Sequence, residues 1–404
     1  MTSRAPLRRA DLRGAARLAA DATVGLTDLV EAMHARIARR PGSGAPHEHP
    51  RAGVISAQVY NTVRGVTRLV SGGVDALLAL PVPAATARDP SPRREAIVAA
   101  LNGVIGDHLA ATANPLATAM ALRRDGRALV MEPRALAASV PQATDRLLVL
   151  VHGLCMNDLQ WSREGHDHGV ALARELGFTP LYLHYNSGLH VSLNGRALAQ
   201  QLERLLEHWP RPVERLVLLG HSMGGLVARS AVHYATQAGH RWPARLRDLV
   251  LLGTPNHGAP LERAGHWVDL ALGATPYVAP FARLGKLRSA GVTDLRHGNL
   301  LDEDWAGHDR FAHGADRRRP LPLPQGVRCY AVAGRIGRQG SDLKDRLLGD
   351  GLVPLDSALG RHRDPARTLA FDEHRQWVGE GINHLELLNR AEVSAQLQRW
   401  LATA

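Results

Sequence analysis

The chain has 404 residues, 45% hydrophobic and 22% charged; that apolar share can fill a large core, and the modest, interleaved charge excludes a disordered chain. Lys+Arg number 49 against 38 Asp+Glu, a net charge of +11 carried almost wholly by arginine, since lysine occurs only at Lys286 and Lys344. The arginines are scattered, the longest run being Arg317 to Arg319, and no aromatic residues interleave with them, so no nucleic acid partner is expected.

From Asp11 to Ile37 apolar residues recur at helical spacing (Leu12, Ala16, Ala19, Val24, Leu29, Val30, Met33, Ile37), which predicts one long or two short amphipathic helices. Pro41 to Pro50 breaks the pattern. A second helical stretch runs from Val54 to Leu69 and past Gly72-Gly73 to Leu80, and Pro81 to Arg93 reads as a linker. Residues 1–93 are therefore read as a helical N-terminal extension. Arginines flank its apolar stripes, a pattern compatible with peripheral membrane contact, although an amphipathic helix more often packs on its own protein. The opening residues hold no uninterrupted apolar stretch before a small-residue cleavage site, and eighteen consecutive apolar residues occur nowhere, so a cytoplasmic protein without a spanning helix is expected.

Residues 94–404 read as one larger domain. Glu95 to Leu109 has helical character, and Thr118 to Arg123 and Arg127 to Met131 flank Asp125-Gly126, a dipeptide suited to a tight hairpin. Beyond it, apolar strands alternate with helices: strands Leu147 to Val151, Leu181 to Tyr185, Leu216 to Gly220, Leu249 to Leu252 and Val327 to Val332, and helices Gly169 to Leu176, Leu198 to His208 and Gly224 to Tyr234. Continuous apolar strands separated by helices imply an α/β fold with a mostly parallel central sheet buried on both faces. Between Gly253 and Gln325 the rhythm lapses for about seventy residues, longer than a structureless loop normally runs. Short helices at Trp267 to Leu272 and Val278 to Leu284 would make residues 256–320 a helical cap or lid insertion. Cys155 and Cys329 form neither a disulfide framework nor a metal-spaced pair and read as small buried hydrophobes.

The run Leu216-Val217-Leu218-Leu219-Gly220-His221-Ser222-Met223-Gly224-Gly225 is a buried strand entering Gly-x-Ser-x-Gly and then a helix. A turn that sharp needs glycine at 220 and 224 and exposes Ser222 at the helix start, where the Met223 N–H can stabilise an oxyanion. A second donor is expected from Leu154, because Leu147 to Val151 followed by His152-Gly153 ends a strand upstream of the elbow. A serine hydroxyl needs a histidine to take its proton and an acid to orient that histidine, in the chain order Ser, acid, His. Asp350, in Gly349-Asp350-Gly351-Leu352-Val353-Pro354, is the candidate acid, with Asp356, Asp345 and Asp342 as competitors. His384, in Ile382-Asn383-His384-Leu385, is the candidate base; His221 is excluded because it directly precedes the nucleophile. His257 is the rival and is assigned to substrate binding with Met156 and Trp161, for which core packing is an equal reading. His166-Asp167-His168 and His47-Glu48-His49 invite a metal, but histidines at i and i+2 do not face one site on a helix and no His-Glu-x-x-His or Cys-x-x-Cys accompanies them, so neither metal nor cofactor is expected.

The set His152-Gly153-Leu154, Gly220 to Gly225, Gly253-Thr254-Pro255-Asn256-His257-Gly258-Ala259-Pro260, Asp350 to Pro354 and Asn383-His384 resembles the lipase and esterase branch of the α/β-hydrolases, in particular the PGAP1-like group of bacterial proteins. The resemblance spans about residues 115 to 404 and implies an α/β-hydrolase fold and carboxylic-ester hydrolysis of an acyl ester or lipid-like substrate, with Ser222, Asp350 and His384 as triad. Thioesterases and acyltransferases share the pattern. A catalytically silent protein that binds a membrane or partner through its N-terminal helices is the reading from a different class.

Overall fold

A computed structural model describes residues 9–38, 91–259, 289–307, 316, 318–337 and 349–402. By its contacts the chain divides into two units, residues 1–89 with 111–117 and residues 90–110 with 118–404. In the first, the N-terminal helical spacing forms a single helix, α1 (Arg9–Ala38). Leu18 is buried, the Arg17 guanidinium donates to Ala113 O at 2.9 Å, and the Asn114 amide donates to Gly14 O at 3.1 Å. This part of α1 thus packs on residues of its own chain. The helical stretches read over 54–80 lie outside the described residues. Among the described residues no helix is long and apolar enough to cross a membrane.

The second unit is built on eight strands: β1 (Ala121–Arg124), β2 (Arg127–Ala128), β3 (Arg146–Val151), β4 (Thr179–His184), β5 (Arg215–His221), β6 (Leu246–Leu252), β7 (Arg328–Arg335) and β8 (Gln376–Glu380). They form one sheet in the order β2-β1-β4-β3-β5-β6-β7-β8. All neighbours from β4 to β8 are parallel; β1 is antiparallel to both β2 and β4. The β1–β2 hairpin turns at Asp125 (φ 52°) and Gly126 (φ 72°), two left-handed residues in succession, as a two-residue turn with the twist of a β-ribbon requires.

Strand periodicity of two sorts the apolar residues onto two faces. Leu147, Val149 and Val151, with Leu216, Leu218, Leu249 and Leu251, enter one cluster; Leu148 and Leu150, with Val217, Leu219, Val250 and Leu252, enter the other. The first face is covered by the helices Val191–His208 and Met223–Gln237, the second by His168–Leu176 and Ala391–Ala402. Each fully buried Leu or Val contributes about 1.5–3 kcal/mol, so burial on both sides makes continuous apolar strands the stable solution. Numbering in chain order, the helices of seven or more residues after α1 among the described residues are α2 (Pro92–Ala111), α3 (Pro133–Ser139), α4 (His168–Leu176), α5 (Val191–His208), α6 (Met223–Gln237), α7 (Ala290–His297) and α8 (Ala391–Ala402).

Within 256–320 the described part holds α7, capped by Ser289 and ended by Gly298 at φ 73°; the helices expected over 267–272 and 278–284 lie outside the described residues. α2 extends the expected helix at both ends and kinks at Ile105 (φ −136°, ψ 23°). The cause is tertiary: the Asn186 amide takes Gly106 O at 2.8 Å, and a Cβ on Gly106 would stand 1.9 Å from Asn186 Oδ1.

Candidate active site

At the end of β5 the chain turns directly into α6. Ser222 is held at φ 56°, ψ −124°, a conformation that costs a non-glycine residue about 1–3 kcal/mol and persists only where its surroundings enforce it. They do. Its N–H donates to Leu252 O at 2.8 Å and its carbonyl accepts from Gly225 N at 3.0 Å. A Cβ on Gly220 would stand 2.5 Å from Gly225 Cα, and one on Gly224 would stand 2.0 Å from Val151 O, so only glycine lets strand, elbow and helix close on one another. Ser222 is fully buried, and its Oγ makes no hydrogen bond among the described residues. Gly153, just after β3, faces it: a Cβ there would stand 3.0 Å from Ser222 Cβ.

Asp350 and His384 arrive from the far end of the sheet. After β7, Ile336 N donates to Gly349 O at 3.0 Å, and Gly349 (φ 53°) and Gly351 (φ 95°) curl the backbone around the acid. Asp350 Oδ1 accepts from Leu352 N (3.0 Å) and Val353 N (2.8 Å), while Oδ2 accepts from His384 Nδ1 at 2.6 Å. His384 follows β8, and its backbone N–H donates to Asp350 O at 3.0 Å. Both residues are 2% exposed. With Nδ1–H spent on the carboxylate, the neutral His384 ring presents Nε2 as an acceptor. Gly253, at the end of β6, lies beside the pair: a Cβ there would stand 3.1 Å from both Asp350 Oδ2 and His384 Cε1. Of the competing acids, Asp356 is solvated, its side chain 43% exposed, and Asp342 and Asp345 lie outside the described residues.

Of the candidate oxyanion donors, Met223 directly follows Ser222 and Leu154 directly follows Gly153, the residue that faces it. Neither the Leu154 nor the Met223 backbone N–H donates a hydrogen bond among the described residues. The loop after β3 is fixed by groups that the sequence reading passed over. Cys155 sits at φ 61°, its N–H donates to Ser187 Oγ at 3.1 Å, and a Cβ on Gly103 of α2 would stand 2.2 Å from Cys155 Sγ. No local signal marks Ser187, because its partner is thirty-two positions away. His221 Nε2 donates to His384 O at 3.1 Å; burial, then the nearby His384, hold the His221 ring well below the usual histidine range, so it is a neutral strut for the candidate base.

The residues assigned to substrate binding divide. Trp161 is fully buried, packing with Leu148, Leu150, Leu172 and Phe178, with its ring edge toward His221 at 6.3 Å; half-buried Met156 packs on the same cluster. Both pack against the core on one sheet face, the arrangement that the sequence offers as the equal alternative to lining a cleft. His257 lies elsewhere: its N–H donates to Ser357 Oγ and its Nε2 to Gly360 O, both at 3.1 Å, and its ring stands 4.9 Å from that of His362. It makes no hydrogen bond to Ser222, Asp350 or His384. Cys155 and Cys329 are free thiols, each pushed up to about 12 by burial. His166 and His168 bond each other at 2.9 Å, with His168 Nε2 donating to Leu387 O, and no group of three metal-ligating residues occurs among the described residues.

Residues 142–315 match the family model of the PGAP1-like alpha/beta domain. Among solved structures the chain is similar to the lipase BlEst2 of Bacillus licheniformis in its mature form (20% identity, TM-score 0.40, covering 64% of this chain and 92% of that one). It is also similar to the esterase Pf2001 of Pyrococcus furiosus (15%, 0.37, 65% and 82%) and to the phospholipase PlaB of Legionella pneumophila (20%, 0.35, 53% and 44%). No curated protein matches the chain. The mostly parallel sheet flanked by helices and the strand–serine–helix elbow are those of an α/β-hydrolase fold, and within it residues 142–315 are similar to the PGAP1-like alpha/beta domain.

Proposed function

We propose that the protein is a serine hydrolase that cleaves carboxylic esters of acyl or lipid-like substrates through an acyl-enzyme intermediate. The 2.6 Å Asp350–His384 hydrogen bond, in the loops that follow two strands of the sheet that carries the strained Ser222 elbow, is the observation that carries the reading. His384, oriented by Asp350, takes the Ser222 proton as Oγ attacks the ester carbonyl. The Leu154 and Met223 N–H groups stabilise the oxyanion, and His384 passes the proton to the departing alkoxide. Water, deprotonated by the same histidine, then releases the acid and restores Ser222.

Turnover of a p-nitrophenyl ester panel and covalent labelling by a fluorophosphonate test this. Wild type should turn over at least one ester and label at Ser222 alone, and Ser222→Ala should do neither. Full activity in Ser222→Ala, or folded wild-type protein that neither labels nor turns over any ester, overturns the proposal.

A further inference from the structure

We propose that the larger unit carries a binding site for a phosphate group, centred on Arg229 and separate from the Ser222 site. A cavity of about 30 Å³ is lined by Arg229, His257, Gly298, Arg318, Arg319 and Arg367 among others, and by none of Ser222, Asp350 and His384. On a scale where one water needs about 10–15 Å³, this holds a small anion and excludes an acyl chain.

Arg229 projects from the second turn of α6 and is 4% exposed. Its Nη1 donates to Asn256 Oδ1 (3.0 Å) and its Nη2 to Leu321 O (2.6 Å); both acceptors are neutral. Its Nε, also buried, has no hydrogen-bond partner among the described residues, and no carboxylate there pairs with the guanidinium. Burial lowers the guanidinium only to about 10, so it remains a cation at neutral pH. Arg215 shows the ordinary arrangement in the same fold: also buried, it pairs with Asp248 at 2.8 Å.

The nearby acids are already engaged. Asp316 holds Arg318 (2.7 Å) and Arg367 (3.3 Å). Asp304 accepts backbone N–H groups from Leu300, Leu301 and Arg319. Asp364 also pairs with Arg367 (3.6 Å), so the four guanidinium groups stand with three carboxylates, Asp304, Asp316 and Asp364, and one cationic charge is left over among the described residues. His257, lowered to about 4 mainly by burial, adds no charge and spends its Nε2–H on Gly360 O. Arg318 and Arg367 spend their donors on Asp316, Asp364 and backbone carbonyls, whereas Arg229 is a buried cation without a counter-charge among the described residues; that is costly, and an oxyanion in the cavity, held by Arg229 and the exposed Arg319, removes that cost. The inference is independent of the ester-cleaving reading.

The full chain is titrated with inorganic phosphate, and separately with glycerol 3-phosphate, by calorimetry at constant ionic strength. Saturable binding of both is expected for a free phosphate group, and of glycerol 3-phosphate alone for a phosphate ester such as a lipid headgroup. Binding should weaken at least tenfold in Arg229→Gln and in Arg319→Ala, whose exposed side chain removes any risk to folding, and should persist in Ser222→Ala. No saturable binding of either ligand, equal binding in Arg319→Ala, or loss in Ser222→Ala overturns the proposal.

Discussion

Replacing Asp350 by Asn separates orientation from architecture at the candidate site. The carboxylate accepts three hydrogen bonds, two at Oδ1 from Leu352 N and Val353 N and one at Oδ2 from His384 Nδ1. An asparagine can keep its oxygen toward the two backbone donors, which turns its NH₂ toward His384. Two donors would then face each other across 2.6 Å. The ring escapes by moving its proton to Nε2, so that Nδ1 accepts from the amide. The three hydrogen bonds made at this side chain are kept in that arrangement, so stability should change by only about 1 kcal/mol. The ring can no longer take a proton at Nε2, however. Loss of the correct tautomer in a Ser-His-Asp site costs about 10⁴ in kcat, equivalent to about 5 kcal/mol of transition-state stabilisation. Steady-state turnover of a p-nitrophenyl ester beside a thermal melt reads both quantities, with Asp356→Asn as the exposed control. A kcat within tenfold of wild type in Asp350→Asn, or an equal loss in Asp356→Asn, would refute the reasoning.

Gly224→Ala puts a methyl group 2.0 Å from Val151 O, a backbone contact that no rotamer relieves, and should destabilise the fold by about 1–3 kcal/mol or more while abolishing turnover; an unchanged melt refutes it. Ser187→Ala removes the acceptor for Cys155 N and should lower kcat about tenfold with KM little changed, whereas a purely structural serine would shift only the melt. His168 is fully buried and lowered to about 4, chiefly by burial, so the unfolded chain binds an extra proton between pH 6.5 and pH 4. Stability should accordingly fall as pH drops through that window, by about 3 kcal/mol from this residue, and level off below it; urea midpoints that decline equally in His168→Asn would contradict the assignment.

The parts of the fold that sequence made legible are those where local pattern and burial agree. β3, β5, β6 and β7 are continuous apolar runs because both sheet faces are covered, and Asp125-Gly126 announces its turn through the two left-handed residues it supplies. β8 was missed: Gln376-Trp377-Val378-Gly379-Glu380 is an edge strand whose residues are mostly half-buried, so it carries no apolar run. α3 was missed too, because only Leu136 of its residues is buried. The kink in α2 was unreadable in principle, since Asn186 causes it from eighty positions away. At the site, the glycines around Asp350 distinguish it from Asp356 because they mark a backbone that must curl. Met156 and Trp161 had no such mark. An apolar side chain after a strand looks the same in sequence whether it lines a cleft or fills a core, and here the cluster around Leu148 and Leu150 takes both.

The order of strands brings the candidate groups to one edge of the sheet. Gly153, Ser222 and Gly253 follow β3, β5 and β6, three neighbours in the sheet, and Asp350 and His384 follow β7 and β8, the next two. In parallel strands all five carboxyl ends open on the same edge, where α/β sheets bind their ligands. Motifs separated by as many as 231 positions therefore reach the same edge of the sheet through pairing alone. The elbow is the point under load. Ser222 holds an unfavourable backbone angle because Leu252 O from β6, Gly225 N from α6 and the close passage of Gly224 past Val151 O of β3 fix it from three sides. Loosening any one contact lets the residue relax toward ordinary angles and carries Oγ away from the position the reaction needs. Substitutions at Gly224 or Leu252 should therefore cost turnover out of proportion to stability wherever the protein still folds, because relief of the strain offsets part of the lost packing but none of the lost alignment.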